Sequence, residues 1–280
     1  MGTVVTIEVV PPGAEDAMQR AFRWFHEVEQ ICSRFNPESE LRQLTAAAGK
    51  AMHASATLFE AVRFAVCLAE ATGGAFDPTV GRSMEMRGFN QEYRTGTEIQ
   101  TAAAGHTATW RDIELDEEHR RIRLRTPLLL DLGAVAKGLA IDAAARELQP
   151  FTDFAVYAGG DVFLGGANAS GKPWRVGIRH PRAEGEILDA LLVSNQAVCT
   201  SGDYERPDHI LDPRQGNAAR AVASATVVAP TAMLADALAT AAFVLGPEAG
   251  IELLKEMGVE GLIVTPGLER FETGGLRRAA

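Results

Sequence analysis

The stretch AMLADALATAAFVL at residues 232–245 predicts a helix that is apolar except at Asp236 and Thr240. An unpaired carboxylate on such a surface is costly to bury, by several kcal/mol, so Asp236 needs a partner. Asp236 and Thr240 are four residues apart and therefore lie one turn from each other on one helix face. Together they offer two hard oxygens, and Mg²⁺ typically binds one or two protein oxygens, water and substrate phosphate. The stretch thus predicts a cation site, and an Asp paired with an Arg or Lys from elsewhere is the alternative.

Outside this helix, strands follow strands as often as helices, which predicts an α+β fold with largely antiparallel sheets. Alternating or apolar runs predict strands near residues 5–9, 107–115, 120–125, 128–132, 154–157, 174–178, 187–193, 222–228 and 261–265. Apolar residues spaced by three and four predict helices near residues 18–35, 55–72, 134–148 and 248–257. Thr57 and Glu60 have capping-box spacing at the start of the second of these helices. Residues 82–106 predict a polar surface segment, and residues 273–280 a frayed tail.

The chain has 280 residues, a formal net charge of −10 and three cysteines. Such an acidic chain is a poor candidate for binding nucleic acid or an anionic membrane, which needs a basic surface. The cysteines are odd in number and form no CxxC pair, which argues against a disulfide scaffold or a zinc site. Cys32 and Cys67 lie on apolar helix faces and are predicted to be buried thiols. Because no apolar run reaches about 18 residues, no transmembrane segment is predicted.

Several turns carry residues suited to chemistry, each with a structural alternative. DLGAVAKG at 131–138 leads from an apolar strand into a helix, where free N–H groups and Lys137 suit a phosphate; an exposed Lys on an ordinary turn is the alternative. GGAFDPTVG at 73–81 presents Asp77 as a candidate ligand or as the cap of an Asx-Pro turn. AGGD at 158–161 has two glycines after a strand, where a backbone or ligand can approach closely.

The segment HILDP at 209–213 supplies a candidate acid–base residue. A histidine has an unperturbed pKa of about 6.5, which suits proton transfer at neutral pH, and Asp212 is placed to orient His209. A histidine at a strand edge is the structural alternative. A Ser–His–Asp arrangement through Ser201 lacks the G-x-S-x-G motif.

Taken in order, these segments resemble the FAD:protein FMN transferase family of the ApbE type. The matching segments are MGT at 1–3, SRFNPESEL at 33–41, GGAFDPTVG at 73–81, DLGAVAKGLAID at 131–142, AGGDVFLGG at 158–166, PWRVGIRHP at 173–181, TSGDYER at 200–206, HILDPRQG at 209–216 and ADALATAAFVLG at 235–246. The resemblance spans nearly the whole chain. It implies a single ApbE-like domain over residues 1–280, with two interlocked lobes.

The resemblance also implies roles for individual residues. Family members take FAD and Mg²⁺, transfer FMN to a threonine or serine hydroxyl of an acceptor protein, and release AMP. Asp236 and Thr240 match the side-chain ligands of magnesium, and Ala134 matches the residue that supplies a backbone carbonyl. His209 matches the histidine that helps to activate the acceptor hydroxyl, and Lys137 is expected to assist at the phosphates. The flavin and adenosine contacts implied are Met1, Ser33, Arg34, Phe35, Ala75, Phe76, Asp77, Lys137, Gly160, Asp161 and Ile210.

Three functions stay open at this point. The first is covalent flavinylation of a protein, the second is FAD pyrophosphatase activity giving FMN and AMP, and the third is flavin binding without catalysis. The partners expected are FAD and a flavin-acceptor protein, and no nucleic acid. The start of the chain has no signal-peptide pattern, so we expect a cytoplasmic protein; a processed form of a longer chain would be periplasmic or membrane-anchored.

Overall fold

The computed structural model describes residues 2–92, 95–99, 101, 108–204 and 208–279. The described residues form two compact units. The first takes its residues from positions 2, 26–136 and 211–217, and the second from positions 3–25, 137–210 and 218–279. The single domain over residues 1–280 stays a prediction.

The described residues contain seven α-helices and fourteen β-strands. The helices are α1 (Glu15–Cys32), α2 (Glu40–Ala46), α3 (Ala56–Ala71), α4 (Gly81–Met86), α5 (Gly133–Glu147), α6 (Ala232–Leu245) and α7 (Pro247–Glu256). The strands are β1 (Val5–Val9), β2 (Ala51–His53), β3 (Ile113–Asp116), β4 (Arg121–Leu124), β5 (Phe154–Ala158), β6 (Asp161–Gly165), β7 (Trp174–Arg179), β8 (Ile187–Val193), β9 (Gln196–Gly202), β10 (Leu211–Asp212), β11 (Asn217–Ala218), β12 (Ser224–Ala229), β13 (Glu260–Val264) and β14 (Arg270–Glu272).

The second unit is built on a seven-stranded sheet in the order β1-β5-β6-β9-β12-β13-β14. Every neighbouring pair in this sheet is antiparallel, which confirms the predicted α+β class with antiparallel sheets. All six residues of β12 are buried, because both faces of the sheet are covered. The β7–β8 hairpin packs on one face through Trp174, Ile178 and Leu191. Helix α6 lies against β9 and β12.

Helix α6 begins after a capping threonine and ends before a glycine. Thr231 is the N-cap, and its side chain accepts a hydrogen bond from the N–H of Leu234. Gly246 follows the helix with a φ of 87°, which favours glycine, and Pro247 then starts α7. Most side chains of α6 are buried, Asp236 among them, so an ionisable group is held inside the unit.

The first unit combines the helices α2, α3 and α4 with the three-stranded sheet β2-β4-β3. Its core includes Leu41, Leu44 and Leu58, which are fully buried. The N-cap of α3 is Ser55, which accepts from the N–H of Leu58. The capping box predicted from Thr57 and Glu60 is therefore wrong, because an earlier hydroxyl caps the helix.

Three other predictions of local structure are corrected. Residues 128–132 are buried leucines and an aspartate but form no strand, because an apolar run signals burial without ensuring a pairing partner. The polar segment 82–106 contains most of α4, whose Glu85 is buried and accepts hydrogen bonds from Thr101. Residues 102–106 lie outside the described residues. Cys67 is exposed, whereas Cys32 is buried as predicted.

The C-terminal segment is anchored through residue 279, which contradicts the predicted fraying. Backbone hydrogen bonds join Leu192 to Arg277 and Ala279 to Ala190, beside strand β8. Arg278 also pairs with Asp189, at 2.9 Å. Among the described residues, no helix combines the length and apolar character needed to cross a membrane.

Candidate active site

Lys137 lies between two buried carboxylates in the second unit. Its Nζ is 3.0 Å from Oδ2 of Asp236 and also contacts Oδ2 of Asp161. The Asp161 and Asp236 side chains are only 2% and 9% exposed, whereas that of Lys137 is 26% exposed. Beyond the ion pair, neither Oδ2 atom accepts a hydrogen bond from a described residue. We call Lys137, Asp161 and Asp236 the charged cluster.

Three different elements position this charged cluster. Lys137 lies on α5, Asp161 is the first residue of β6, and Asp236 lies on α6. The turn before Asp161 is formed by Gly159 and Gly160, with φ of 60° and 97°, a conformation that favours glycine. Oδ1 of Asp161 accepts a hydrogen bond from the N–H of Thr200 on β9, at 3.0 Å. Because Asp161 is held at both oxygens, its carboxylate orientation is set by the protein.

The charged cluster carries one more negative charge than positive charge when both carboxylates are ionised. Burial raises the pKa of Asp236, and the nearby Lys137 ammonium and the N–H of Gly138 only partly offset this effect. Each buried charge without a partner costs several kcal/mol, so the cluster favours an additional cation. Among the described residues, no group of three or more His, Cys, Asp or Glu side chains could enclose a metal. Carboxylate oxygens are a ligand type that Mg²⁺ binds in proteins, and this ion also keeps water and substrate oxygens in its shell.

Hydroxyl groups extend the polar surface next to Asp236. Thr240 lies one turn further along α6, and its Oγ1 is 3.1 Å from Oγ of Ser201 on β9. Thr240 also donates to the backbone oxygen of Asp236, at 3.3 Å. Ser201 is therefore a partner of a predicted metal ligand, a role that the sequence analysis missed. Ser201 and Thr240 are 39 positions apart in the sequence, so only the packing of α6 on β9 brings them together.

His209 lines a cavity of about 360 Å³ in the second unit. Two ion pairs contribute to its wall: Arg182 with Asp203, at 2.7 Å, and Arg220 with Asp208, at 3.1 Å. Ile210, a predicted cofactor contact, also lines this cavity and is 8% exposed. These four charged residues were not predicted: Asp208 directly precedes His209 in the sequence, but Arg182 and Arg220, which pair with Asp203 and Asp208, are distant in the sequence and are brought there by the fold.

Asp212, expected to orient His209, accepts hydrogen bonds from Arg214 and Gln215. The hydrogen bonds from Arg214 keep the pKa of the Asp212 carboxyl below its usual value. Asp212 belongs to the first unit and His209 to the second. The orienting role of Asp212 stays a prediction.

A second, smaller cavity of about 60 Å³ lies at the glycine turn. Gly160, Arg179, Thr200 and Tyr204 line it. The guanidinium carbon of Arg179 is 5.4 Å from the centroid of the Tyr204 ring, and Tyr204 lines the larger cavity too. Gly160, predicted to contact the cofactor, is thus at a polar cavity whose wall carries a cation.

In the first unit, the side chains of Arg34 and Asp77 form hydrogen bonds with other residues of the same unit. Arg34 is 6% exposed, and its Nε donates to Asp131 at 2.7 Å. Its guanidinium also lies 4.1 Å from the ring centroid of Phe35. Asp77 accepts hydrogen bonds from both the N–H and the hydroxyl of Thr79. The Asx-type turn predicted as its structural alternative is therefore present.

The remaining predicted residues of this unit are placed as follows. Oγ of Ser33 accepts from the N–H of Phe35, at 3.2 Å. Ala75 and Phe76 are buried, at 1% and 5% exposure. Ala134 lies in the first turn of α5, three residues before Lys137. Met1 lies outside the described residues. The cofactor roles of all these residues stay predictions.

Comparison with known proteins gives the family. A model of the ApbE family matches residues 1–263. The chain belongs to the ApbE family. It is 29% identical to the FAD:protein FMN transferase of Haemophilus influenzae, over 91% of this chain and 82% of that protein. It is 32% identical to the enzyme of the same name from Treponema pallidum, over 95% of this chain and 83% of that protein.

The fold agrees with this membership of the ApbE family. The solved structure of the flavin transferase ApbE from Vibrio cholerae matches with a TM-score of 0.85 and 26% identity. The match covers 99% of this chain and 94% of that one. The family resemblance of the sequence segments is therefore confirmed, and so is the ApbE-like α+β fold.

Proposed function

We propose that this chain transfers FMN from FAD to a threonine or serine hydroxyl of an acceptor protein, with Mg²⁺ and with release of AMP. Family membership and the names of the relatives support FMN transfer from FAD. The magnesium requirement rests on one observation, the excess negative charge of the buried charged cluster. The hydroxyl acceptor rests on the resemblance and on His209 at the wall of a cavity.

The residues present fit a magnesium ion. Asp236 and Thr240 offer a carboxylate and a hydroxyl oxygen from one face of α6, and the carbonyl of Ala134 is the third donor implied by the resemblance. When bound, Mg²⁺ neutralises negative charge on diphosphate oxygens. Lys137 contacts Oδ2 of both Asp161 and Asp236, and so keeps the two carboxylates close to each other.

His209 has the chemistry needed to accept a proton from the acceptor. In the transfer, the hydroxyl oxygen forms a bond to the phosphorus of the FMN half, and the P–O bond to AMP breaks. The hydroxyl proton goes to the imidazole of His209, and AMP leaves with the bridging oxygen. In the competing pyrophosphatase reaction, water replaces the hydroxyl and free FMN is the product.

The decisive experiment incubates the purified chain with FAD, Mg²⁺ and a candidate acceptor, and follows acceptor mass and AMP. Transfer gives an FMN adduct with one AMP per adduct. His209→Ala is expected to retain FAD binding and lose the adduct, whereas His119→Ala, on the exposed β3–β4 hairpin, is the matched control. AMP with free FMN and no adduct would establish the pyrophosphatase alternative. FAD binding without AMP would establish the non-catalytic one, and equal turnover in EDTA would refute the metal requirement.

A further inference from the structure

We infer that Asp142 is a positioning residue, which fixes the start of α6 on α5 and so sets the place of Asp236 beside Lys137. Asp142 lies on α5, five residues after Lys137. The inference concerns how the proposed magnesium ligand is held, and therefore rests on the proposed function.

Asp142 binds the first two residues of α6 through both of its carboxylate oxygens. Oδ1 accepts from the N–H of Ala232 at 2.7 Å, and Oδ2 accepts from the N–H of Met233 at 2.9 Å. The first N–H groups of a helix have no partner within the helix, and a negative charge is favoured there. The first turn of α6 contains no acidic residue of its own. Asp142 thus supplies from a neighbouring helix the charge that α6 lacks.

The backbones of the two helices approach closely at the same place. A Cβ on Gly138 would lie 2.4 Å from the carbonyl oxygen of Ala232, so no side chain fits there without a shift. The N–H of Gly138 also donates to the Asp236 carboxylate. Lys137 and Gly138 therefore meet Asp236 while Asp142 holds the residues one turn before it. A movement of the start of α6 relative to α5 would break the bonds from Asp142 to Ala232 and Met233, and it would displace Asp236 from Lys137.

This connection has a consequence for metal binding that differs from helix stability. Mg²⁺ tolerates little deviation from octahedral geometry, so displacement of one oxygen ligand weakens binding. Groups that orient metal ligands typically change metal affinity about 10–100-fold when they are removed. Thr231 stabilises the same end of α6, but its hydroxyl accepts from the N–H of Leu234, which belongs to that same helix. Thr231→Ala is therefore a matched control that weakens the helix start and leaves the bonds to α5 in place.

The experiment measures the Mg²⁺ concentration that gives half-maximal AMP release from FAD, and the rise in Tm on adding Mg²⁺ without FAD. All variants are measured below their own Tm. We expect Asp142→Asn to need about tenfold more Mg²⁺, with kcat near the wild-type value at saturation, and to lose most of the Mg²⁺-dependent rise in Tm. Thr231→Ala should lower the Tm and leave the Mg²⁺ requirement unchanged. Asp142→Glu, which keeps the charge but moves it by one methylene, should also raise the requirement and serves if Asp142→Asn does not fold.

The outcomes separate this inference from the proposed function. If the wild-type protein responds to Mg²⁺ and the Asp142 variants keep its Mg²⁺ requirement, Asp142 is merely structural and the inference is overturned. If Thr231→Ala raises the requirement as much as Asp142→Asn, general weakening of α6 is the cause, which also overturns it. A wild-type protein without any Mg²⁺ response overturns both proposals.

Discussion

The charge imbalance at Lys137 predicts unequal losses of stability for two isosteric or near-isosteric substitutions. Lys137→Met would leave the buried carboxylates of Asp161 and Asp236 without a cation. Asp236→Asn would instead leave Lys137 and Asp161 as a balanced pair, since Nζ of Lys137 contacts both carboxylates. If Asp236 is present to bind an added cation, the protein without metal should tolerate its neutralisation.

The expected changes in the free energy of unfolding follow from the burial of these side chains. Removing one partner of a buried ion pair typically costs ~3–5 kcal/mol. Because the Lys137 side chain is 26% exposed, we expect Lys137→Met to lower the free energy of unfolding by about 3 kcal/mol, the lower end of that range. Asp236→Asn should change it by no more than about 1 kcal/mol, since the loss of one ion pair is offset by the removal of an excess buried charge.

The assay is urea unfolding at pH 7, in EDTA and then with Mg²⁺ in tenfold excess over its Kd. In EDTA, Lys137→Met should be the less stable variant by at least ~2 kcal/mol. Added Mg²⁺ should stabilise the wild-type protein by ~1.4 kcal/mol and leave Asp236→Asn unchanged. If Asp236→Asn in EDTA costs as much as Lys137→Met, Asp236 is a required partner of Lys137, and the reasoning from excess charge is refuted.

Three further predictions concern groups near the charged cluster and elsewhere. Burial raises the pKa of Asp142 to about 6. The free energy of unfolding should therefore be highest below pH ~4 and should decrease by up to ~3 kcal/mol as the pH rises through 6. Asp142→Asn should remove this part of the pH dependence, measured by urea unfolding. Gly138→Ala should destabilise the protein by ~1–3 kcal/mol in the same assay, because its Cβ would overlap the backbone of α6. Gly274→Ala should be neutral, because its added Cβ would meet no atom of the described residues within 4 Å beyond its chain neighbours. Iodoacetamide at pH 8 should modify Cys67 in the native protein, as mass spectrometry would show, and leave Cys32 unmodified, because burial raises the pKa of Cys32 to about 12.

Each of these has a contradictory result. An unchanged slope of stability between pH 4 and 6 in Asp142→Asn would mean that Asp142 does not titrate there. Equal stability of the Gly138 and Gly274 variants would mean that α5 and α6 can separate at little cost. Rapid modification of Cys32 would mean that its helix opens readily.

The parts of the site that lie within one helix could be predicted from the sequence. Asp236 and Thr240 were identified because helical periodicity alone places residues four apart on one face. The partner of Asp236 could not be identified, because it comes from a helix some hundred positions earlier in the chain. The structural alternative is observed, since Asp236 pairs with a lysine, whereas the cation site stays a prediction that the excess negative charge of the cluster supports.

Two strands that the sequence patterns do not predict, β6 and β9, have a common physical character. β6 and β9 contain glycine and have buried residues at consecutive positions, so they lack the regular alternation that marks a strand with one exposed face. They are strands because neighbouring strands supply their hydrogen bonds on both sides. Asp161 and Ser201 lie on these two strands, which explains why their contacts with Lys137 and Thr240 were not foreseen.

The anchored C-terminal segment protects an edge of strand β8, so truncation at this end of the protein would expose that edge. Residues 277–279 run beside β8 as a further strand would, and Leu276 packs against the core that β7 and β8 share with the large sheet. Deleting residues 276–280 would leave the N–H and C=O groups of β8 unpaired along an open edge, a template on which other chains can add. A truncated protein should therefore self-associate, and an affinity tag fused at this end needs a spacer.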